Sequence, residues 1–291
     1  MTVLTVEHTT VYRYAQPVQF QDHRMMCRPR DSHDLRLLET GLSISPAANV
    51  RWLHDVFGNS IAIASFVEPA SELSFVSSFR AEHFPSGPVN LSLEEFARFL
   101  PFTYSSQEMA DLGRTTERHY PDPDRRVDLW AKPFARQEGD PETLDVLNAI
   151  NIAIRDQFSY ARREEMGVQT PVETLDKGTG SCRDFAVFMM EAVRSLGLAA
   201  RFVSGYLYDQ NLMGADVGVV GGGATHAWVQ VYLPGAGWVE FDPTNALFGG
   251  HNLIRVAVAR DASQAVPLAG SYTGAAEDYV GMTVDVKVTV A

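Results

Sequence analysis

Three residues in this sequence are of the types that together carry out nucleophilic acyl transfer: Cys182, His226 and Asp242. An imidazole takes the thiol proton, the resulting ion pair holds a thiolate at neutral pH, and a carboxylate fixes the tautomer and orientation of the ring. A thiolate so formed attacks an amide or ester carbonyl. The backbone N–H of Cys182 is placed to donate to the oxyanion, His226 to protonate the leaving group, and water or an amine to resolve the thioester. Each residue alone has a plainer reading, since a free helical cysteine is usually a small buried hydrophobe and a strand histidine a hydrogen-bonded bystander. The elements that carry them decide whether they meet.

The cysteine stands in K-G-T-G-S-C-R-D-F-A, beginning at Lys177. Gly178 and Gly180 allow a sharp turn, Ser181 is a good N-cap, and Asp184 three residues on completes a capping box, so a helix starts with Cys182 in its first turn. Cys182, Phe185, Met189, Val193 and Leu196 recur at helical spacing as a core-facing stripe, and Gly197 supplies the stop. Unpaired N–H groups and the positive end of the helix dipole favour a thiolate there. Downstream, T-H-A-W-V-Q-V-Y-L from Thr225 and W-V-E-F-D-P-T from Trp238 read as two strands joined by P-G-A-G. Alternation puts His226, Trp228 and Gln230 on one face of the first strand, and Glu240 and Asp242 on one face of the second. Paired residues in a hairpin keep a constant sum of residue numbers, so His226 and Asp242 share a face only across an odd-length connection or a bulge. The expectation is an odd-length connection around Pro234 to Gly237, an imidazole–carboxylate hydrogen bond, and the opposite ring edge turned toward the Cys182 sulfur. Trp228, on the strand face of His226, is the candidate substrate-contacting residue.

With 291 residues the chain suits one large or two modest domains. Short alternating stretches at Leu4 to Tyr14, Leu37 to Ser45, Asn49 to Asp55, Ser60 to Glu68 and Leu73 to Glu82 predict an antiparallel β-sandwich domain over 1–85. The F-G-N at Phe57 is a hairpin turn signal, and Arg28-Pro29-Arg30 reads as a charged loop. Residues 86–140, rich in Pro, Asp and aromatics, read as a connector with short helices. An α+β core follows over 141–291. It opens on a helix from Pro141 to Tyr160 and closes on an alternating strand from Met282 that adds to a sheet. The glycine-rich stretch from Asp209 to Ala224 is either a surface loop or a lid over the site. A net charge of -12 argues against nucleic acid or an anionic membrane as partner. The N-terminus has no signal-peptide pattern, and no run of ~18 apolar residues appears. Cys27 and Cys182 match neither a disulfide framework nor a metal-ligand spacing, which points to a reducing, cytoplasmic setting with no metal and no cofactor. Cys27 reads as a buried residue near a strand end.

The motifs G-x-G-S-C-R-D-F-A, R-F-V-S-G-Y and T-H-A-W-V-Q-V-Y-L-P-G-A-G-W-V-E-F-D-P-T-N together resemble the bacterial transglutaminase-like superfamily. H-T-T-V-Y-R-Y at His8 and F-G-N at Phe57 are similar to the β-rich N-terminal domain its members carry. The resemblance implies a cysteine-protease-like core, as in papain-like enzymes, with Cys182 as nucleophile, His226 as base and Asp242 as carboxylate. It also implies a peptide or protein substrate. Phe158-Ser159-Tyr160 resembles a family position upstream of the cysteine, from which Tyr160 would lend a hydroxyl near the oxyanion; a packed aromatic is the other reading. V-A-V-A-R-D at Val256 departs from the family pattern with Ala259 in place of glycine. The superfamily includes peptidases, amidases and amine-transferring enzymes, so hydrolysis of an amide or peptide bond is the leading expectation and amine transfer the alternative. A binding scaffold without catalysis and a redox-sensing thiol are the readings from other classes.

Overall fold

The computed structural model describes residues 2–84, 91–136, 139–163, 166–208 and 224–290. The glycine-rich stretch singled out above falls on 209–223, outside the described residues, apart from Ala224.

The N-terminal third forms strands β1 (Thr2–Phe20), β2 (His23–Met25), β3 (Leu35–Ser45), β4 (Ala48–His54), β5 (Ser60–Phe66) and β6 (Ala70–His83). They divide into two antiparallel sheets, one running β1-β6-β3 and the other β2-β5-β4. Tyr14, Val18, Phe20, Met25, Ala62, Ala64, Leu73 and Phe75 fill a core of their own. The alternation that locates the strands in sequence also builds this sandwich, because residues at a spacing of two face one layer. β1 outruns its expected end at Tyr14. The register with β6 shifts between Arg13 and Val18, a span that holds Pro17, which cannot donate to a ladder, so the strand resumes beyond an irregularity.

Short helices α1 (Ser106–Leu112) and α2 (Arg126–Ala131) follow, then α3 (Thr143–Gln157), β7 (Ser159–Tyr160), α4 (Pro171–Lys177), β8 (Thr179–Gly180) and α5 (Cys182–Ser195). Strands β9 (Ala200–Leu207), β10 (His226–Leu233), β11 (Gly237–Asp242), β12 (Leu247–Phe248) and β13 (Leu253–Ala259) make an antiparallel sheet ordered β12-β11-β10-β9-β13. The helix α5 is the centre of this half. Its apolar stripe is only part of its packing: Phe185 to Val193 are buried all round, with the sheet on one side and α2, α3 and α4 on others. The polar residues caught in this burial are paired. Glu191 accepts from Arg118 Nε at 3.0 Å and from Arg194 at 3.0 Å, and Arg194 also donates to the carbonyls of Thr115, Ala200 and Arg260. The segment read as a connector is thereby tied onto the cysteine helix.

The chain closes with β14 (Leu268–Ala269), β15 (Tyr272–Thr273) and β16 (Tyr279–Val290). The last strand adds to a sheet, and the sheet is the N-terminal one: β16 runs antiparallel to β1 from Leu4↔Val290 to Tyr14↔Tyr279. Val284, Val286, Val288 and Val290 join Leu4, Val6 and Phe79 against Tyr206 and Ile254 of the second half. The two halves are also clamped by Asn59 on the β4–β5 turn. Its side chain is 1% exposed and exchanges two hydrogen bonds with the Val258 backbone, at 2.7 and 2.9 Å.

Candidate active site

The helix that carries Cys182 begins where the sequence places it. Asp184 is fully buried, and its Oδ2 accepts from the Ser181 backbone N–H and hydroxyl, both at 2.8 Å. Its Oδ1 accepts from the Gln169 N–H at 2.7 Å. These bonds hold the carboxylate below its usual range against the opposing effect of burial. Gly180 is required by close approach, since a Cβ there would lie 2.9 Å from the Asp184 Cβ and 3.1 Å from the Phe185 ring. Cys182 is left in the first turn with 8% of its surface exposed.

The connection between β10 and β11 is Pro234, Gly235 and Ala236, between Leu233 and its partner Gly237, with Val229 paired to Phe241. It has odd length, as the parity argument requires. Extending the register sets Asp242 opposite Trp228 and diagonal to His226, within reach across a ladder. His226 Nε2 lies 2.9 Å from Asp242 Oδ2, and both side chains are fully buried. Asp242 is held on its other sides by the Thr244 N–H, 2.9 Å from Oδ1, and by Asn245 Nδ2, 2.8 Å from Oδ2. Burial penalises the charged imidazolium, but the charge and hydrogen bond of Asp242, with a further contribution from the Cys182 thiol, outweigh it and push His226 up to about 10. Burial opposes the Asp242 carboxylate as well, and the His226, Asn245 and Thr244 contacts bring its pKa down. His226 Nδ1 is buried and has no hydrogen bond of ordinary geometry. It is the ring nitrogen that Asp242 does not occupy.

Tyr160 lies on β7, paired with Gly180 of β8 two residues before the cysteine. Its ring is 37% exposed and meets Phe185 edge-on at 6.5 Å. Partial burial and the neighbouring Cys182 push its hydroxyl up, so it stays protonated at neutral pH. Trp228 does not take the place expected of it. It is 0% exposed, packed with Val203, Leu207, Leu253 and Val258 and stacked on the His226 ring at 6.0 Å and 26°, so no substrate reaches it. Strand alternation puts a residue on a face but does not say whether that face is covered.

The sequences and folds of other proteins bear on this arrangement. The profile of the Transglutaminase-like superfamily matches residues 130–243, and that of the Bacterial transglutaminase-like N-terminal region matches residues 4–82. An uncharacterized protein of Mycobacterium tuberculosis (strain ATCC 25618 / H37Rv) is 31% identical over 297 residues, covering 97% of this chain and 91% of its own. The chain belongs to the transglutaminase-like superfamily. An uncharacterized protein of Mycobacterium leprae is 27% identical over 275 residues, 93% of each chain. The crystal structure of a "Putative Cysteine Protease from Cytophaga hutchinsonii" superposes with a TM-score of 0.68 at 16% identity, over 100% of this chain and 90% of that one. This likeness shows a shared fold: an α+β core behind an antiparallel β-rich N-terminal region.

Several residues at the superfamily core escaped the sequence reading. Thr244 and Asn245 brace Asp242, and the signal was present in D-P-T-N, where an aspartate accepting the N–H two residues on makes an Asx-turn. Gly205, opposite His226 on β9, left no signal beyond its being a glycine inside a strand: a Cβ there would lie 2.1 Å from the Ile254 carbonyl oxygen and 2.7 Å from the Trp228 ring. Glu240 and Arg255 form a partly buried ion pair at 2.8 Å that only folding reveals. Among the described residues no helix is long and apolar enough to cross a membrane.

Proposed function

We propose that this protein catalyses thiol-dependent acyl transfer by a Cys182–His226–Asp242 triad and hydrolyses an amide or peptide bond of a peptide or protein substrate. The observation that carries the reading is the division of labour on the His226 ring: Nε2 is committed to Asp242 at 2.9 Å, while Nδ1 makes no other bond and the thiol acts on the imidazole. Nδ1 takes the Sγ proton and the thiolate adds to the carbonyl carbon. The C–N bond then breaks as the imidazolium returns that proton to the leaving amine. Water attacks the thioester, gives its proton to His226, and the acid leaves as the thiolate is restored. The Cys182 N–H, in the helical turn whose donors lack intrahelical partners, and the protonated Tyr160 hydroxyl are the donors assigned to the oxyanion. No step calls for a metal or cofactor. Two free, buried cysteines suit a reducing, cytoplasmic compartment.

The test is a library of peptides and glutamine amides incubated with the protein and quenched in acid. An acyl mass increment on the Cys182 peptide, absent from Cys182→Ala, is the expected result. Release of free acid identifies hydrolysis, and incorporation of an added amine identifies transfer. Absence of both the increment and turnover across the library would leave the scaffold reading.

A further inference from the structure

Behind His226 lies a partly buried set of charges that no proton transfer above uses. Glu240, 6% exposed, precedes Asp242 by two residues on the same strand face. Its Oε1 accepts from Arg255 at 2.8 Å and from Gln230 Nε2 at 3.0 Å. Gln230 in turn accepts from Arg201 Nε at 2.8 Å, and the Arg201 guanidinium lies 4.1 Å over the Trp238 ring. The second arm of Arg255 leaves this sheet and donates to both oxygens of Asp34, at 3.2 and 3.1 Å, in the N-terminal sandwich. Two cations, Arg201 and Arg255, are thus balanced by two anions, and one anion comes from the other half of the molecule.

We infer that Asp34, Arg255 and Glu240 are positioning residues through which the N-terminal sandwich holds the His226–Asp242 pair in register. The inference rests on the triad reading above. Trp228 is the mechanical link. Its ring stacks on His226, is stopped below by Gly205, and follows its strand to Gln230, which Glu240 holds. Its indole N–H is buried and makes no hydrogen bond; burial raises the pKa of Glu240, and the charge and hydrogen bond of Arg255 are what oppose that rise. With Asp34 removed, Arg201 and Arg255 face Glu240 alone. Arg255 is then free to swing, Glu240 loses its bridge, and the strand pair carrying Trp228, His226 and Asp242 loses its brace. Among the described residues, the charged and titratable groups that bear on this network include Asp34, His33, His83 and Arg30 from the sandwich, Arg201 on β9, Arg255 on β13, His251 just before it and Glu240 on β11, with Cys182 and Asp242 at the imidazole itself. The N-terminal region is therefore part of the site's construction.

The experiment measures the rate of Cys182 alkylation by iodoacetamide against pH in the full chain, read at the Cys182 peptide by mass spectrometry. The thiolate–imidazolium pair of the triad reading sets the wild-type acid limb, which serves as the reference. Asp34→Asn and Arg255→Met are expected to move that limb up by about one pH unit, a roughly tenfold loss of rate on its rising part, with Arg255→Lys recovering part of the shift. Asn59→Ala cuts the other tie between the halves and serves as the control: it should lower the melting temperature while the limb stays in place. A folded Asp34→Asn protein with an unmoved limb overturns the inference. So does an equal shift in Asn59→Ala, which would make any loosening of the interface sufficient. A wild-type limb at the ordinary thiol value removes the triad reading itself, and this inference with it.

Discussion

His226 and the pair His8 and His83 are all buried, and their proton affinities move in opposite directions. His226 is raised to about 10, whereas His8 and His83, where the N-terminal sheet meets β9, are each lowered to about 4. Burial pushes all three the same way, because it penalises the imidazolium. The difference is the partner. His226 faces the Asp242 carboxylate; His8 and His83 face the neutral hydroxyls of Tyr206 at 3.0 Å and Tyr208 at 2.8 Å. A histidine buried against a phenol is a neutral hydrogen-bonding strut, and one buried against a carboxylate keeps its proton, as the imidazolium that a thiolate would need for a partner. Of these three, two stand at the joint between the halves and one where chemistry is proposed.

The sharpest way to break this comparison is at the thiol. Cys182→Ala and Cys182→Ser should abolish turnover with the melting temperature nearly unchanged, since either residue can still occupy the first helical turn; residual activity of either variant in a peptide-amide assay would relocate the nucleophile. Asp242→Asn should turn His226 into a histidine of the other kind. Turnover is expected to fall on the order of 10²- to 10⁴-fold with little change in KM, and the imidazole signal, followed by NMR, should titrate below its ordinary value instead of near 10.

The interface histidines are tested by acid. Their folded pKa values lie below the unfolded value of 6.5, so the unfolded chain binds more protons between those limits. Stability is then unaffected by them above about pH 6.5 and falls as pH drops toward 4, by up to about 3 kcal/mol per histidine. His226 has the opposite sign: its contribution is complete below about pH 6.5 and is lost as pH rises through about 10. Denaturant titrations from pH 7 to 4 should show the acid slope, and His8→Gln and His83→Gln should each flatten it. An unchanged slope would mean these rings are protonated in the fold.

Smaller effects are expected at Gly205 and Cys27. Gly205→Ala forces the Trp228 ring or the Ile254 carbonyl to move and should cost about 1–3 kcal/mol of stability, together with a displaced His226 that a crystal structure of the variant would show. The two cysteines are about equally covered, at 7% and 8% exposed, but burial raises the Cys27 thiol while Cys182 stands in the first turn of a helix beside His226, so iodoacetamide at neutral pH should label Cys182 first. Equal labelling of the two in native protein would erase the distinction between a structural and a poised cysteine.

Much of this arrangement was legible in local pattern. Alternation located the five longer strands of the N-terminal sandwich, and the capping residues Ser181 and Asp184 located the start of α5 to the residue. Residue parity turned the question of whether His226 meets Asp242 into the length of one connection. These features are set by backbone geometry within a few residues, where the chemistry of the side chains is its own evidence. What tertiary structure alone decided is which faces are covered and which distant charges meet. Trp228 became a wall behind His226 because other parts of the chain close over its face. β16 returned to β1 across more than 260 residues, and Arg255 found Asp34 and Glu240. Such pairings depend on long-range closure, which leaves no period in the sequence; a buried arginine reads there like any surface charge until the fold supplies the carboxylates that make its burial tolerable.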